Sequence, residues 1–201
     1  MSTPKLTPKG AATRDRIVQT AADLVLARGV GGTSLDDIRA GTATSKSQLF
    51  HYFPGGKGEL VGALATLQAG RVLEAQRPWI DALDTWESWE GWRAGLLAHY
   101  DGLPHRGCPI GSLVQELSGT DPALAGVATA HMDEWLGRLG AGVVRMREAG
   151  HLRTDADPEA LTLAIFAALQ GGLMLNQALD SGAPLAAALD GALATLRDAA
   201  A

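Results

Sequence analysis

The sequence predicts an all-α fold, with a three-helix N-terminal domain followed by a larger helical domain. Apolar residues recur at helical spacing along the chain, and no segment alternates with the two-residue period of a strand. The composition agrees: 201 residues include 25 Gly but only three Phe, five Trp and two Tyr, which suits closely packed helices. The predicted divisions are a flexible basic arm at 1–10, a first helical domain at 11–57 and a second at 58–201.

The first helix is predicted to end at Gly29. Ile17, Ala21, Leu24 and Val25 follow the i, i+4, i+7, i+8 pattern of a helix with one apolar face. Gly29 follows this stripe and is a natural C-cap, since glycine tolerates the backbone that ends a helix.

A second, shorter helix is predicted to begin after Thr33 or Ser34, because either hydroxyl could cap it. Acidic residues at 36 and 37 would lie in its first turn, where the helix dipole favours negative charge. The helix can run only to about Gly41, before a turn at 42–44.

The third helix is predicted to begin at Ser45, with Gln48 completing a capping box. Leu49, Phe50 and Phe53 give it an apolar face, and the Pro-Gly-Gly stretch at 54–56 ends it. The polar residues Ser45, Lys46, Ser47, Gln48 and His51 are left to point outward. A short helix of this kind, held from behind by bulky side chains, is suited to reading the major groove of DNA.

The order of residues over 12–62 resembles the N-terminal domain of TetR-type (tetracycline-repressor-like) transcriptional regulators. The matching segments are Arg14-Asp15-Arg16-Ile17, Ala21-Ala22-x-Leu24, Arg28-Gly29-Val30-x-x-Thr33-Ser34-Leu35-x-x-Ile38, Ser45-Lys46-Ser47-x-Leu49-Phe50-x-Tyr52-Phe53 and Lys57-x-Glu59-Leu60. One extra residue near Gly55-Gly56 interrupts the match. Ala43 stands where the family usually has the turn glycine, and Ser47 where glycine is common; both suggest a slightly different turn geometry.

The helix pattern and the resemblance together predict the residues that contact DNA. The resemblance implies that Tyr52 and Lys57 hold phosphates, and Arg39, an added charge, could touch phosphate or be solvated. Base edges are expected to meet Lys46, Ser47, Gln48 and His51. The predicted DNA-binding residues are Thr33, Arg39, Thr44, Ser45, Lys46, Ser47, Gln48, His51, Tyr52 and Lys57.

The distribution of charge favours this role, although the chain carries a net charge of −5. Residues 1–60 hold eight basic and five acidic side chains, giving +3, and the remainder holds nine and seventeen, giving −8. A basic head on an acidic body directs the head toward DNA.

The remaining chain is predicted to form helices over about 59–76, 87–103, 110–117, 122–149, 157–180 and 184–197. The last two carry wide apolar stripes, which could form a four-helix bundle with a second copy of the chain. The alternative is that both stripes pack inside one chain; the family resemblance favours dimerisation. The predicted dimer-interface residues are Leu161, Ile165, Leu169, Leu173, Leu189 and Leu193.

Four of the five tryptophans lie between 79 and 92. Such a stripe is either ordinary core or the wall of a pocket for an apolar or aromatic small molecule, and the resemblance implies that the second domain contains such a pocket. The predicted ligand-binding residues are Trp89, Trp92, Leu96, Tyr100, Met132, Trp135 and Gln170.

Other chemistry has little support in the sequence. The single cysteine, Cys108, is either a small buried residue or a redox switch. The histidines lack metal-ligand spacing, no catalytic motif occurs, and no metal, cofactor or catalytic residue is expected. No secretory segment occurs near the N-terminus, and the apolar run 161–175 is too short to span a bilayer. A cytoplasmic protein is therefore expected.

These observations predict a homodimeric regulator of transcription. It is expected to be a repressor that a small apolar or aromatic ligand releases from a near-palindromic, double-stranded operator. The alternative is an all-helical small-molecule-binding protein or enzyme that uses the Trp-rich half, with the N-terminal match coincidental.

Overall fold

The chain is helical throughout the part that a computed structural model describes, residues 6–103 and 105–201. The helices are α1 (Pro8–Arg28), α2 (Leu35–Thr42), α3 (Lys46–Tyr52), α4 (Gly56–Glu74), α5 (Trp86–Asp101), α6 (Pro109–Ser118), α7 (Pro122–Glu148), α8 (Pro158–Leu179) and α9 (Ala183–Asp198). A short 3-10 helix, Trp79–Asp81, precedes α5. Over these ranges the only β pairing is an isolated bridge between Leu152 and Ala200. The predicted all-α fold is confirmed.

The first helix begins earlier than the sequence suggested. The side chain of Thr7 accepts a hydrogen bond from the Gly10 N–H at 3.2 Å, and Pro8 occupies the first turn, where its missing N–H is no loss. Residues 8–10 of the expected basic arm are therefore helical. Residues 1–5 of that arm lie outside the described residues.

The chain divides into two compact units whose boundaries differ from the expected division at 57/58. The first unit contains the chain up to Ala69 together with Leu113–Ala128. The second contains Gly70–Ser112 and Thr129–Ala201. Helices α4, α6 and α7 each contribute residues to both units.

The first unit has a core of apolar side chains from its short helices. Ile17 and Ala21 of α1, Leu49 of α3 and Phe53 are fully buried. The guanidinium of Arg14 lies 5.1 Å from the centre of the Phe53 ring, so a cation covers the face of a buried aromatic side chain. Leu49 and Phe53 therefore hold α3 from behind, as its sequence predicted, whereas Phe50, predicted for the same apolar face, is 39% exposed.

Helices α8 and α9 pack against each other in the second unit. Gly172 permits the close approach, because a Cβ there would lie 2.9 Å from the Ala188 Cβ. The side chain of Asn176, only 1% exposed, accepts a hydrogen bond from the Leu185 N–H at 2.8 Å and so satisfies the start of α9.

This packing corrects the predicted dimer interface. Five of the six predicted residues are buried inside one chain, at 0–2% exposure, and Leu161 is half-buried. The five are Ile165, Leu169, Leu173, Leu189 and Leu193. Helical periodicity finds the apolar stripe but does not say whether its partner belongs to the same chain. Here the intrachain alternative is correct.

The opposite face of α8 remains exposed and apolar. Leu163, Met174 and Leu179 are 50%, 55% and 64% exposed. At 22 residues, α8 is longer than the apolar run 161–175, and by length and composition it could cross a membrane. The core helix of a soluble protein passes the same test, and α8 buries one face against α9, so a single helix of this kind does not indicate a membrane span.

Candidate nucleic-acid interface and effector site

Helix α2 begins with a reciprocal hydrogen-bonded cap. The Ser34 hydroxyl accepts from the Asp37 N–H at 3.1 Å, and the Asp37 carboxylate accepts from the Ser34 N–H at 2.8 Å. Hydrogen bonds from the Ser34 side chain and backbone hold the pKa of Asp37 below its ordinary value. Of the two hydroxyls that the sequence offered, Ser34 is thus the cap.

The turn between α2 and α3 contains Ala43 in the left-handed conformation, with φ 51° and ψ 36°. Its N–H donates hydrogen bonds to the carbonyls of Arg39 and Ala40, and these bonds end α2. The turn therefore keeps the handedness that glycine adopts readily, although alanine occupies the position.

The exposed face of α3 is polar apart from Phe50. Lys46, Ser47, Gln48 and His51 are exposed. Leu49, one residue beyond Gln48, is fully buried. The side chains that the sequence predicted for base contact therefore lie together on the accessible side of a short, capped helix.

Gln48 is partly committed to the helix. Its Oε1 accepts a hydrogen bond from the Ser45 N–H at 2.9 Å, while the Ser45 hydroxyl accepts from the Gln48 N–H at 3.1 Å. A bidentate contact to adenine uses both the oxygen and the nitrogen of a glutamine amide. With the capping box intact, Gln48 has only Nε2 to offer a base.

Two of the predicted DNA contacts are buried. Thr33 is 0% exposed, and its hydroxyl donates to the Gly29 carbonyl at 2.8 Å. Thr44 is 6% exposed, and its hydroxyl lies 2.7 Å from that of Thr42. Both threonines hold turns together, so the prediction that they contact DNA is wrong.

The predicted phosphate-binding residues have protein partners. Arg39 forms an ion pair with Asp36 at 2.6 Å. The Lys57 ammonium donates to the Val30 carbonyl at 2.5 Å. Tyr52 is half-buried, with its hydroxyl close to Gly10 near the start of α1. Lys57 therefore ties the start of α4 to the turn after α1.

In the second unit, the tryptophans surround a buried amide. The Gln76 Oε1 accepts from the indole N–H of Trp92 at 2.8 Å and from that of Trp135 at 2.9 Å. The Gln76 Nε2 donates to the Val72 carbonyl at 2.7 Å. Gln76 is 0% exposed, and neither the composition nor the spacing of the tryptophans indicated it. Trp92 and Trp135 are thus satisfied within a closed core.

Other predicted ligand residues leave buried donors unpaired. The Tyr100 hydroxyl and the Trp89 Nε1 have no hydrogen-bond partner, although Tyr100 is only 1% and Trp89 0% exposed. The Gln170 Nε2 also has no hydrogen-bond partner, and the Gln170 side chain has a lowering effect on the pKa of the Cys108 thiol. Leu96 is buried and Met132 half-buried.

Tyr100, Cys108 and Gln170 form a small polar cluster at one end of this core. A Cβ on Gly111 would lie 3.2 Å from the Gln170 Oε1 and 3.4 Å from the Cys108 Cβ, so Gln170 and Cys108 meet there. Tyr100 is near enough to Cys108 for its pKa to respond to that group's charge. Burial, and then the nearby Cys108 thiolate, raise the pKa of Tyr100 well above its ordinary value. Burial also raises the pKa of the Cys108 thiol, against the lowering effect of the Gly111 and Ile110 N–H groups. Both groups therefore stay protonated at neutral pH.

A separate groove of about 550 Å³ lies between α7 and the start of α8. Its lining includes the apolar residues Leu136, Val144 and Leu163 and the acidic residues Asp133, Asp157 and Glu159. None of the predicted ligand residues lines it. Across the described ranges there is no cluster of three His, Cys, Asp or Glu side chains that could hold a metal ion.

Capped helices α2 and α3 around a tight turn, in a unit with its own core, define a helix-turn-helix DNA-binding protein. The family model described as "Bacterial regulatory proteins, tetR family" matches residues 17–64. The model described as "Tetracyclin repressor-like, C-terminal domain" matches residues 88–192, more than half of the chain. The chain belongs to the TetR family of transcriptional regulators.

Individual relatives agree. The HTH-type transcriptional regulator YxaF of Bacillus subtilis is 25% identical over 175 residues, covering 86% of this chain and 88% of YxaF. The HTH-type transcriptional repressor DhaR of Mycobacterium sp. is 23% identical, with 80% of each chain covered. The crystal structure of a TetR transcriptional regulator from Chloroflexus aurantiacus superimposes with a TM-score of 0.85 at 26% identity, covering 96% of this chain and 98% of that one. The protein is thus a DNA-binding transcriptional regulator.

Proposed function

We propose that this regulator works in the cytoplasm as a homodimeric repressor that reads a near-palindromic operator with two copies of α3. The observation that carries the proposal is the outer face of α3, where Lys46, Ser47 and His51 are exposed on a helix fixed by a capping box. The similarity to DhaR, a transcriptional repressor, supports repression as the direction of regulation.

Selection from a random-sequence duplex library tests the operator. The enriched sites should contain two half-sites related by a dyad, with centres about 34–36 Å apart or a multiple of that distance. Enrichment of a single, asymmetric half-site would contradict a dimeric reader.

The exposed apolar face of α8 is the surface proposed for dimerisation. Leu163, Met174, Leu175 and Leu179 are all more than 40% exposed. Exposed apolar residues grouped along one helix mark an interaction surface, and two helices from each chain can complete a four-helix bundle. This face replaces the buried stripe as the place where a second copy would pack.

We further propose that a small ligand releases the repressor by binding at the Tyr100 end of the second unit. The support is the pair of buried donors without partners, Tyr100 OH and Gln170 Nε2, since buried polar groups are normally hydrogen-bonded. Two donors in an apolar core suit an aromatic or other apolar ligand that carries an acceptor oxygen, such as a carbonyl. To release DNA, the ligand must bind the DNA-incompetent state more tightly than the competent one.

Replacement of Tyr100 by Phe tests this site. The substitution removes an unpaired hydroxyl, so the unliganded protein should keep or slightly gain stability. A ligand found by tryptophan fluorescence in a panel of aromatic carbonyl compounds should bind the variant about tenfold more weakly, the cost of one hydrogen bond. Unchanged affinity of Tyr100→Phe for such a ligand would refute the site.

A further inference from the structure

The turn after α1 is held by a side chain from the middle of the sequence. The Glu116 carboxylate, on α6, accepts hydrogen bonds from the Val30 N–H at 2.8 Å and from the Gly31 N–H at 2.6 Å. Both donors and the acceptor belong to the first unit, although 86 and 85 residues separate them in sequence. Two successive backbone N–H groups directed at one anion form a nest.

The same turn is held from two other directions. The Lys57 ammonium donates to the Val30 carbonyl at 2.5 Å, and the Thr33 hydroxyl donates to the Gly29 carbonyl at 2.8 Å. Gly29 has φ 75°, and a Cβ there would lie 3.0 Å from a Glu116 oxygen. Glycine is therefore needed at this position both for its backbone conformation and for the approach of the carboxylate.

The position of this turn governs the start of α2. Ser34, the cap of α2, follows Thr33 directly, and α2 leads through its short turn into the reading helix α3. A displaced turn would therefore move the recognition surface as a whole. Glu116 lies in the part of α6 that belongs to the first unit, so its carboxylate holds the turn within that unit.

We propose that Glu116 is a positioning residue for DNA recognition: it sets operator affinity by fixing the turn after α1, without itself contacting DNA. The proposal extends the proposed function, because it assigns a role in DNA binding to α6, a helix outside the helix-turn-helix. It requires no effector.

The substitution Glu116→Gln separates a positioning role from a simple electrostatic effect, because the two predict changes of opposite sign in operator affinity. Loss of a negative charge from the DNA-binding unit should strengthen binding through general attraction to phosphate. Loss of the clamp should instead weaken binding to the operator duplex selected from the random library, by about fivefold or more. Asp15→Asn, at an exposed position of α1 in the same unit, is the control for the change in charge, and Gln115→Ala is the control for a substitution on α6; neither should weaken binding.

Amide hydrogen exchange reports the clamp directly. In the Glu116→Gln protein the Val30 and Gly31 amides should exchange faster, while the Gly29 amide, bonded to the Val25 carbonyl, should not change. Glu116→Asp, which keeps the charge but shortens the side chain, should weaken DNA binding in the same direction. If Glu116→Gln folds poorly, Glu116→Asp and the amide exchange of the wild-type protein provide the test instead.

A double-mutant cycle with Lys57→Met completes the test. If both side chains hold one turn, their effects on operator affinity should be clearly non-additive; a Lys57 that serves DNA phosphate alone would give additive effects. Equal or stronger operator binding by folded Glu116→Gln would overturn the proposal. A wild-type protein that binds no duplex would refute the proposed function instead. The exchange data would still show whether Glu116 holds the turn after α1.

Discussion

Gln48 caps its own helix and is also proposed to contact a base. Its Oε1 is used by the capping box, and its Nε2 is directed to neither partner of that box. A substitution to alanine would therefore remove the cap and the proposed base contact together. A sharper test keeps the acceptor and removes only the donor.

Gln48→Glu does this. A carboxylate still accepts from the Ser45 N–H, so the thermal stability of the protein should change little. The base preference should shift at one or two positions of each half-site toward cytosine, because the cytosine amino group donates a hydrogen bond to a carboxylate. Sequencing of selected duplexes measures this shift, and an unchanged preference profile would show that residue 48 does not face a base.

Cys108 illustrates how burial governs reactivity. The thiol is 6% exposed and its pKa is raised by burial, so little thiolate exists at neutral pH. We expect alkylation of the folded protein by iodoacetamide to be slow at pH 7 and to accelerate only above the ordinary thiol pKa, when the protonated form is lost. The urea-unfolded chain is the control and should react at the rate of a free cysteine. Rapid alkylation of the folded protein would favour the redox alternative.

At the scale of single elements, the turn between α2 and α3 carries a local strain. Ala43 is one of two described non-glycine residues with positive φ. Ala43→Gly should remove a left-handed penalty of about 1–2 kcal/mol. The greater freedom of glycine in the unfolded chain offsets about 0.5–1 kcal/mol of that gain.

The net change should raise the melting temperature by a few degrees. Ala40→Gly is the matched control, because residue 40 lies within α2, where glycine costs about 1 kcal/mol relative to alanine. Calorimetry of the two variants should therefore give shifts of opposite sign. A lower melting temperature for Ala43→Gly would show that the turn is not strained.

The elements were largely predictable from sequence because their signals are local. Ser45 with Gln48, and Asp157 before Pro158, placed the starts of α3 and α8 within a residue of their observed positions. The partner of each apolar face was not predictable. Thr33 and Leu173 have residue types that fit either a surface role or burial, and only the packing of distant segments decides between them.

At the scale of the whole molecule, the two faces of α8 should respond differently to charge. Met174→Glu changes a residue that is 55% exposed, so the chain should stay folded while the proposed dimer dissociates. Because two linked reading heads are needed for high affinity, operator binding should fall steeply. Light scattering and DNA titration measure the two effects.

Leu173→Glu, one residue earlier, is the contrasting variant. Its side chain is 0% exposed, and burying an unpaired carboxylate there should cost several kcal/mol and unfold the second unit. A folded monomer of Leu173→Glu, or a dimer that persists in Met174→Glu, would show that the dimer interface does not lie on the exposed face of α8.

The first unit is assembled from two separated stretches of chain, and this affects the order in which the protein is built. Residues up to Ala69 are joined by Leu113–Ala128, which supplies Glu116. During synthesis the DNA-reading end cannot be completed until this second stretch has left the ribosome, and contacts between such distant segments form slowly. The nascent regulator should therefore become able to bind DNA only after well over half of its residues have been synthesised.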